Sequence, residues 1–242
     1  VFSPRPHWQF DDAAAPAAVF RQIADAATEP VERALWQTQV ARTFGLAAQC
    51  ADGHAVLDSI SVSSPELDAW SAIERGRLHR SAGQPDLAKP FFETSCELAL
   101  QNHLDALRVD ALHMLALVSP LDEQIALTKQ AITESQTSNE PQAKSWLGSL
   151  LNNLGVALGD KGDWQAALEV FEQGLEVQKA SGTQESIFIA RFMVGKALRM
   201  QGQTEKARSH MQALKQDIEA AGMSDEYVEA ELSMLNQSVN RN

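Results

Sequence analysis

The stretch NNLGVALGDKGDWQAALEVFEQGL, residues 152–175, sets glycines into an otherwise helical, apolar pattern. Glycine in a helix interior costs about 1 kcal/mol against alanine, so its placement needs a physical reason. The same arrangement returns in MVGKALRMQGQTEKARSHM (193–211) and in AIERGRLHRSAGQPDLAKPFF (72–92). Gly155, Gly162, Ala167 and Phe171 align with Gly195, Gly202, Ala207 and Met211, and with Gly76, Gly83, Ala88 and Phe92. Four matched positions in three places identify an internal repeat. Two weaker copies complete the series: QVARTFGLAAQCADGHAVL (39–57), with Ala41, Ala48, Gly53 and Leu57, and ALHMLALVSPLDEQIALTKQ (111–130), with Met114, Leu121, Ala126 and Gln130. The last lacks both glycines and the large apolar residue.

A helical hairpin explains this grid. Gly155 lies mid-helix where a neighbouring helix crosses close to its backbone. Gly162 ends the first helix in a left-handed turn, and Asp163 caps the second. Ala167 must be small where the two helices touch, and Phe171 reads as a large knob entering the next hairpin. Leu154-Gly155, Leu158, Gly162-Asp163-Trp164, Ala167-Leu168 and Phe171 together resemble the tetratricopeptide repeat (TPR), whose pattern is Leu-Gly, an aromatic, Ala, Ala and Phe on a helix-turn-helix. Departures fall at Leu158, where the family usually has an aromatic, and at Gly174, where it usually has alanine.

The resemblance implies an all-α fold: a right-handed α-α superhelix, or TPR-like solenoid, of about five helix-turn-helix repeats plus terminal helices. The repeats are placed at approximately 30–62, 64–102, 104–135, 141–180 and 184–220, within a single helical domain spanning 12–242. Residues 12–27 predict a leading helix with Phe20 and Ile23 on one face. Ser224 is expected to cap a closing helix, 224–237, with Tyr227, Leu232 and Leu235 inward; a solenoid needs such terminal covers. Ser64-Pro65 and Ser119-Pro120 read as capped helix starts. The polar stretch 133–142 predicts a softer joint between two halves. Residues 1–11, VFSPRPHWQFD, form a non-helical arm, since Pro4 and Pro6 oppose regular helix while Phe2, Trp8 and Phe10 are large. The arm is expected to pack on its own first hairpins; a strap onto a second subunit is the alternative.

Composition agrees with this class. Of 242 residues, 44% are hydrophobic, ordinary for a globular chain. The net charge of −12 opposes general binding to nucleic acid or anionic membrane. No apolar run reaches the roughly 18 to 20 residues of a membrane span. Cys50 and Cys96 lack metal-ligand spacing and read as reduced, buried small residues, consistent with a cytoplasmic setting. The six histidines offer no i, i+4 pair and no HExxH, and neither a nucleophile elbow nor a phosphate loop is present. The sequence therefore predicts no enzyme, no metal and no cofactor.

What remains is a binding surface. In TPR-like folds the first helix of each hairpin lines a concave groove. On this grid Arg42, Arg77, Arg80, Lys196 and Arg199 face that groove, with Arg108 beside them. Asn152 shares the stripe, and Asn153 stands where peptide-binding members of the family often carry an asparagine that grips backbone. A solvated helix surface accounts for any single cation. As a set, in a chain with 20 basic residues, they predict a basic groove for an acidic or carboxylate-bearing peptide or protein. The chaperone-type carboxylate clamp is not reproduced, because only Asn153 has a counterpart. The chain looks like stand-alone bacterial TPR proteins. A self-associating scaffold or homodimer and a peptide-signal sensor are the competing readings.

Overall fold

The computed structural model describes residues 2–8 and 14–239; Phe10 and the expected helix start at residue 12 lie outside them. Every regular element among the described residues is helical. The chain divides into two compact units, residues 1–144 and 145–242.

The N-terminal unit opens with a single 3-10 turn (Arg5–His7) and α1 (Ala14–Ala26). Three hairpins follow: α2 (Pro30–Leu46) with α3 (Cys50–Asp58), α4 (Pro65–Ser81) with α5 (Pro85–Gln101), and α6 (Asp105–Ala116) with α7 (Leu121–Thr137). A four-residue helix, α8 (Pro141–Lys144), packs on α6 and α7. First helices neighbour first helices, with α2 against α4 and α4 against α6. The C-terminal unit holds two hairpins, α9 (Leu147–Asp160) with α10 (Trp164–Ser181) and α11 (Gln184–Met200) with α12 (Thr204–Ala220), then α13 (Glu226–Val239).

The glycine grid has a direct cause. A Cβ at Gly155 would meet the Phe171 ring at 2.4 Å, and one at Gly76 would meet the Phe92 ring at 2.5 Å. At Gly195 it would meet the end of Met211 at 2.6 Å. The large residue of the second helix thus lies on the glycine of its own first helix, rather than entering the next hairpin as expected for Phe171. Phe92, Phe171 and Met211 are all buried there. Gly83, Gly162 and Gly202 end the first helices with positive φ, the left-handed turn that only glycine adopts freely. Asp163 Oδ1 then accepts from the Ala166 N–H at 3.1 Å, the expected cap.

Three local expectations are corrected. In the third hairpin α7 buries Ile125, Thr128, Ala131 and Ser135, while Ala126 and Gln130 are exposed. The grid there runs two residues earlier: buried Leu112 and Thr128 have the spacing of Gly76 and Phe92, with large and small exchanged. Ser119 does not cap α7; its hydroxyl donates to the Leu115 carbonyl at 3.0 Å, and Pro120 takes the cap position. In α13, Asp225 rather than Ser224 accepts from the first backbone N–H groups. Tyr227 is 67% exposed and Val228 is buried in its stead, while Leu232 and Leu235 are buried against α12 as expected.

Candidate functional site

The predicted groove cations divide by what holds them. Arg77 is buried on α4, donating to Glu74 at 2.6 Å and to Asp110 of α6 at 2.5 Å. Burial disfavours its charge, but Asp110 and Glu74 outweigh burial and hold the guanidinium above its ordinary pKa. Burial would raise Asp110, yet Arg77 and Arg42 pull it below the usual carboxylate range. For Glu74 burial wins and raises the pKa despite the same two arginines; its Oε2 has no hydrogen-bond partner. Arg77 is therefore a rivet between two hairpins.

Arg108 turns away from the first-helix face. Its Nε pairs with Glu134 of α7 at 3.1 Å, and its Nη1 donates to the Cys96 carbonyl of α5 at 2.7 Å. Both partners lie on second helices, so the expected groove position of Arg108 is corrected. Arg199 is gripped by two oxygens of Glu231, at 2.5 and 3.0 Å; Glu231 is buried on α13. Arg42 and exposed Arg80, with Arg77 and Met114, wall a cavity of about 140 Å³. Lys196 is half-buried on α11, with no carboxylate paired to it among the described residues. Two cations of the stripe, Arg77 and Arg199, are thus paired with carboxylates that the sequence reading left out.

The first-helix face of the N-terminal unit carries the arm. The Phe2 ring sits edge-on to Trp36 of α2, centroids 4.8 Å apart, and to Trp70 of α4, 5.4 Å apart. The Phe2 backbone N–H donates to Glu66 at 2.6 Å, and the Ser3 hydroxyl to Gln142 at 2.5 Å. Buried Trp8 donates its indole N–H to Gln39 at 3.0 Å, packs on Phe20, and receives the Arg42 guanidinium 4.8 Å over its ring. The arm therefore lies on its own first hairpins.

The first-helix face of the C-terminal unit is open. A cavity of about 260 Å³ there is lined by Ser149, Asn152 and Asn153 of α9, Gln178 of α10, and Ser186 and Ile189 of α11, among others. Ile189 is 52% exposed, a large apolar side chain in a polar surround. The Asn152 Oδ1 is buried without a hydrogen-bond partner. An unpaired buried carbonyl oxygen is an energetic liability of about 1–3 kcal/mol that a donor relieves. Ile189, Gln178 and Ser186 were absent from the predicted set. Ile189 precedes Gly195 by the interval that separates Ser149 from Gly155 and Trp70 from Gly76, a signal the grid already held.

Burial pushes the Cys96 thiol up to about 12, which leaves it unionised at neutral pH. Among the described residues no three His, Cys, Asp or Glu side chains gather as a metal site would need, and no helix is long and apolar enough to cross a membrane.

Residues 146–214 match a family model described as tetratricopeptide repeat. No curated protein matches the chain in sequence. Among solved structures, the nearly identical TPR-like repeats from Podosopora anserina, assigned as a kinesin light chain, are 19% identical; the match covers 82% of this chain and 100% of that one, with a TM-score of 0.64. The apo form of RapI is 11% identical, covering 87% of this chain and 60% of its own, with a TM-score of 0.74. NprR, a quorum sensor of B. thuringiensis, solved with its cognate peptide NprX, is 16% identical, covering 94% and 67%, with a TM-score of 0.54. These likenesses establish a TPR-like repeat fold.

Proposed function

We propose that this chain, with its TPR-like repeat fold, is a binding module that holds a peptide or protein segment on the first-helix face of its C-terminal unit, without catalysis of its own. The observation that carries the reading is the pairing of an unsatisfied amide with an exposed apolar residue in one cavity. Asn152 Oδ1 lacks a donor, and a small rotation of the carboxamide would present it to a peptide N–H. Ile189, across the same cavity, offers an apolar contact for one ligand side chain. Lys196, on α11 of the same unit, is the remaining support for an acidic preference, which we keep as the finer form of the proposal. A cytoplasmic setting and a homodimer stand on the same footing. The likeness to NprR, solved with a peptide, favours a peptide-signal sensor as the narrower version; its output would pass through a partner.

The test is a displayed random-peptide selection on the full chain, followed by titration of the enriched peptides. Asn152→Leu should weaken them roughly ten- to hundred-fold, the equivalent of about 1–3 kcal/mol for one lost hydrogen bond, with helix content by circular dichroism unchanged. Ile189→Glu should do the same. Enriched peptides that bind both variants as tightly as wild type would place the binding surface elsewhere.

A further inference from the structure

We propose that residues 2–8 are a built-in ligand of the N-terminal unit, and that the Trp36–Trp70 face beneath them is a binding site for an aromatic–proline segment. This site is separate from the C-terminal cavity and does not depend on the reading given for it.

The arm is held the way a bound peptide is held. Its one element of secondary structure is the three-residue 3-10 turn Arg5–His7, between Pro4 and Trp8. Phe2, Pro4 and Trp8 are the covered residues, while Ser3, Arg5, Pro6 and His7 are exposed, the His7 ring still edge-on to Trp36 with centroids 5.3 Å apart. Phe2 and Trp8 each meet matched receptor groups on α2 or α4. Phe2 enters a slot between two indoles, its ring edge-on to both, a geometry worth about 0.5–1.5 kcal/mol per aromatic pair beyond area burial. Its main-chain N–H finds the Glu66 carboxylate, a charge-assisted bond. The Trp8 indole finds the Gln39 amide, and its ring face finds Arg42. Pro4 and Pro6 restrict the free segment, lowering the entropy lost on docking.

On the receptor side Trp36 also stacks on Phe20 of α1, so the face joins the core of the first helices at one edge. The second hairpin closes on its own glycine–ring pair, Gly76 with Phe92, which does not involve the arm. Trp36 and Trp70 are 8% and 5% exposed with Phe2 in place. Without the arm two indoles would stand on one surface, rimmed by Glu66, Gln39 and Arg42, the aromatic centre and polar rim that protein interfaces favour. The resident occupant is the chain's own arm, and a partner segment with two aromatic anchors around prolines would have to displace it. Tethering holds the arm at an effective concentration in the millimolar range, so displacement in trans is suppressed until the arm is weakened.

The experiment uses the full chain and a fluorescently labelled peptide, VFSPRPHW, followed by polarisation. In one series Phe2→Ser and Trp8→Ser are combined to weaken the arm. In a second, the arm is left unchanged and Gly-Ser residues of increasing number are inserted between residues 8 and 14. Wild type should bind the peptide at least ten-fold more weakly than the double variant. Binding should strengthen with insert length, as effective concentration falls roughly with the −3/2 power of linker length. Trp70→Ala added to the double variant should remove it. Equal binding by wild type and double variant, or no response to insert length in a chain that keeps its helix content, overturns the proposal. A mass by light scattering that doubles with concentration and reverts on Phe2→Ser/Trp8→Ser overturns the cis assignment, because the arm would then be seated on a second copy. The insertion series decides the matter even where the double variant loses its fold.

Discussion

The two units are built from the same hairpin and present different first-helix faces. In the N-terminal unit that face is closed: an aromatic arm lies on Trp36 and Trp70, and Arg77 is locked between Glu74 and Asp110. In the C-terminal unit the corresponding face keeps a cavity, an amide oxygen without a partner and an exposed isoleucine. The grid position that carries Trp70 in one carries Ser149 and Ile189 in the other. That position supplies Trp70, one of the two indoles flanking Phe2, where the C-terminal unit has serine or isoleucine.

The sharpest way to break the contrast is to open the rivet. Arg77→Met leaves Glu74 and Asp110 buried without their counter-charge and should cost about 3–5 kcal/mol, read from urea unfolding. Glu74→Leu/Arg77→Met/Asp110→Leu together should recover only part of that loss, because the desolvation of three charges disappears but Arg42 is left without the two carboxylates that support its charge. A single-variant loss below about 1 kcal/mol would mean that the cluster is solvated.

Next in size are the glycine locks. Gly155→Ala forces a methyl into the Phe171 ring and should destabilise by about 1–3 kcal/mol, less the roughly 1 kcal/mol that alanine gains as a helix former. Gly195→Ala meets the flexible end of Met211 and should come out near neutral in the same thermal melts. Adding Phe171→Leu to Gly155→Ala should restore part of the loss.

Asn152→Leu should move stability the other way. Removing an unpaired buried oxygen should raise it by about 1 kcal/mol while lowering affinity for selected peptides. A drop in stability would show that the carboxamide is structural.

The smallest expected effect is on pH. Burial holds His113, in the N-terminal unit, and His210, in the C-terminal unit, below the ordinary histidine value of 6.5. In the window below 6.5 the unfolded chain takes up protons that these groups refuse. Their contribution is fully present above 6.5 and is lost as pH falls toward their folded values. Thermal midpoints should decline from pH 7 to 5.5, and His210→Gln should flatten that slope; an unchanged slope in the double His113→Asn/His210→Gln variant would assign it to the carboxylates.

The hairpins were legible because glycine and ring recur at one spacing with a turn glycine between them. The third hairpin was misread by two residues because Leu112 and Thr128 exchange large for small, so no glycine marks the site. The cations of the groove were found by position, but their fate was hidden. Glu74, three residues before Arg77 on the same helix, could have been read as a partner. Asp110 and Glu231 arrive from other helices, and no local pattern announces them. The arm's docking was legible in outline from its large residues; its seat on Trp36 and Trp70 required the packing of two hairpins.

The glycine–ring lock has a consequence for how such a chain is inherited. Both halves of the lock lie within one hairpin, so copying a hairpin-length piece of sequence copies a finished unit. The copies are then free to drift on the outward face of their first helices without losing closure. A chain assembled this way acquires new surfaces by editing single positions on an unchanged frame.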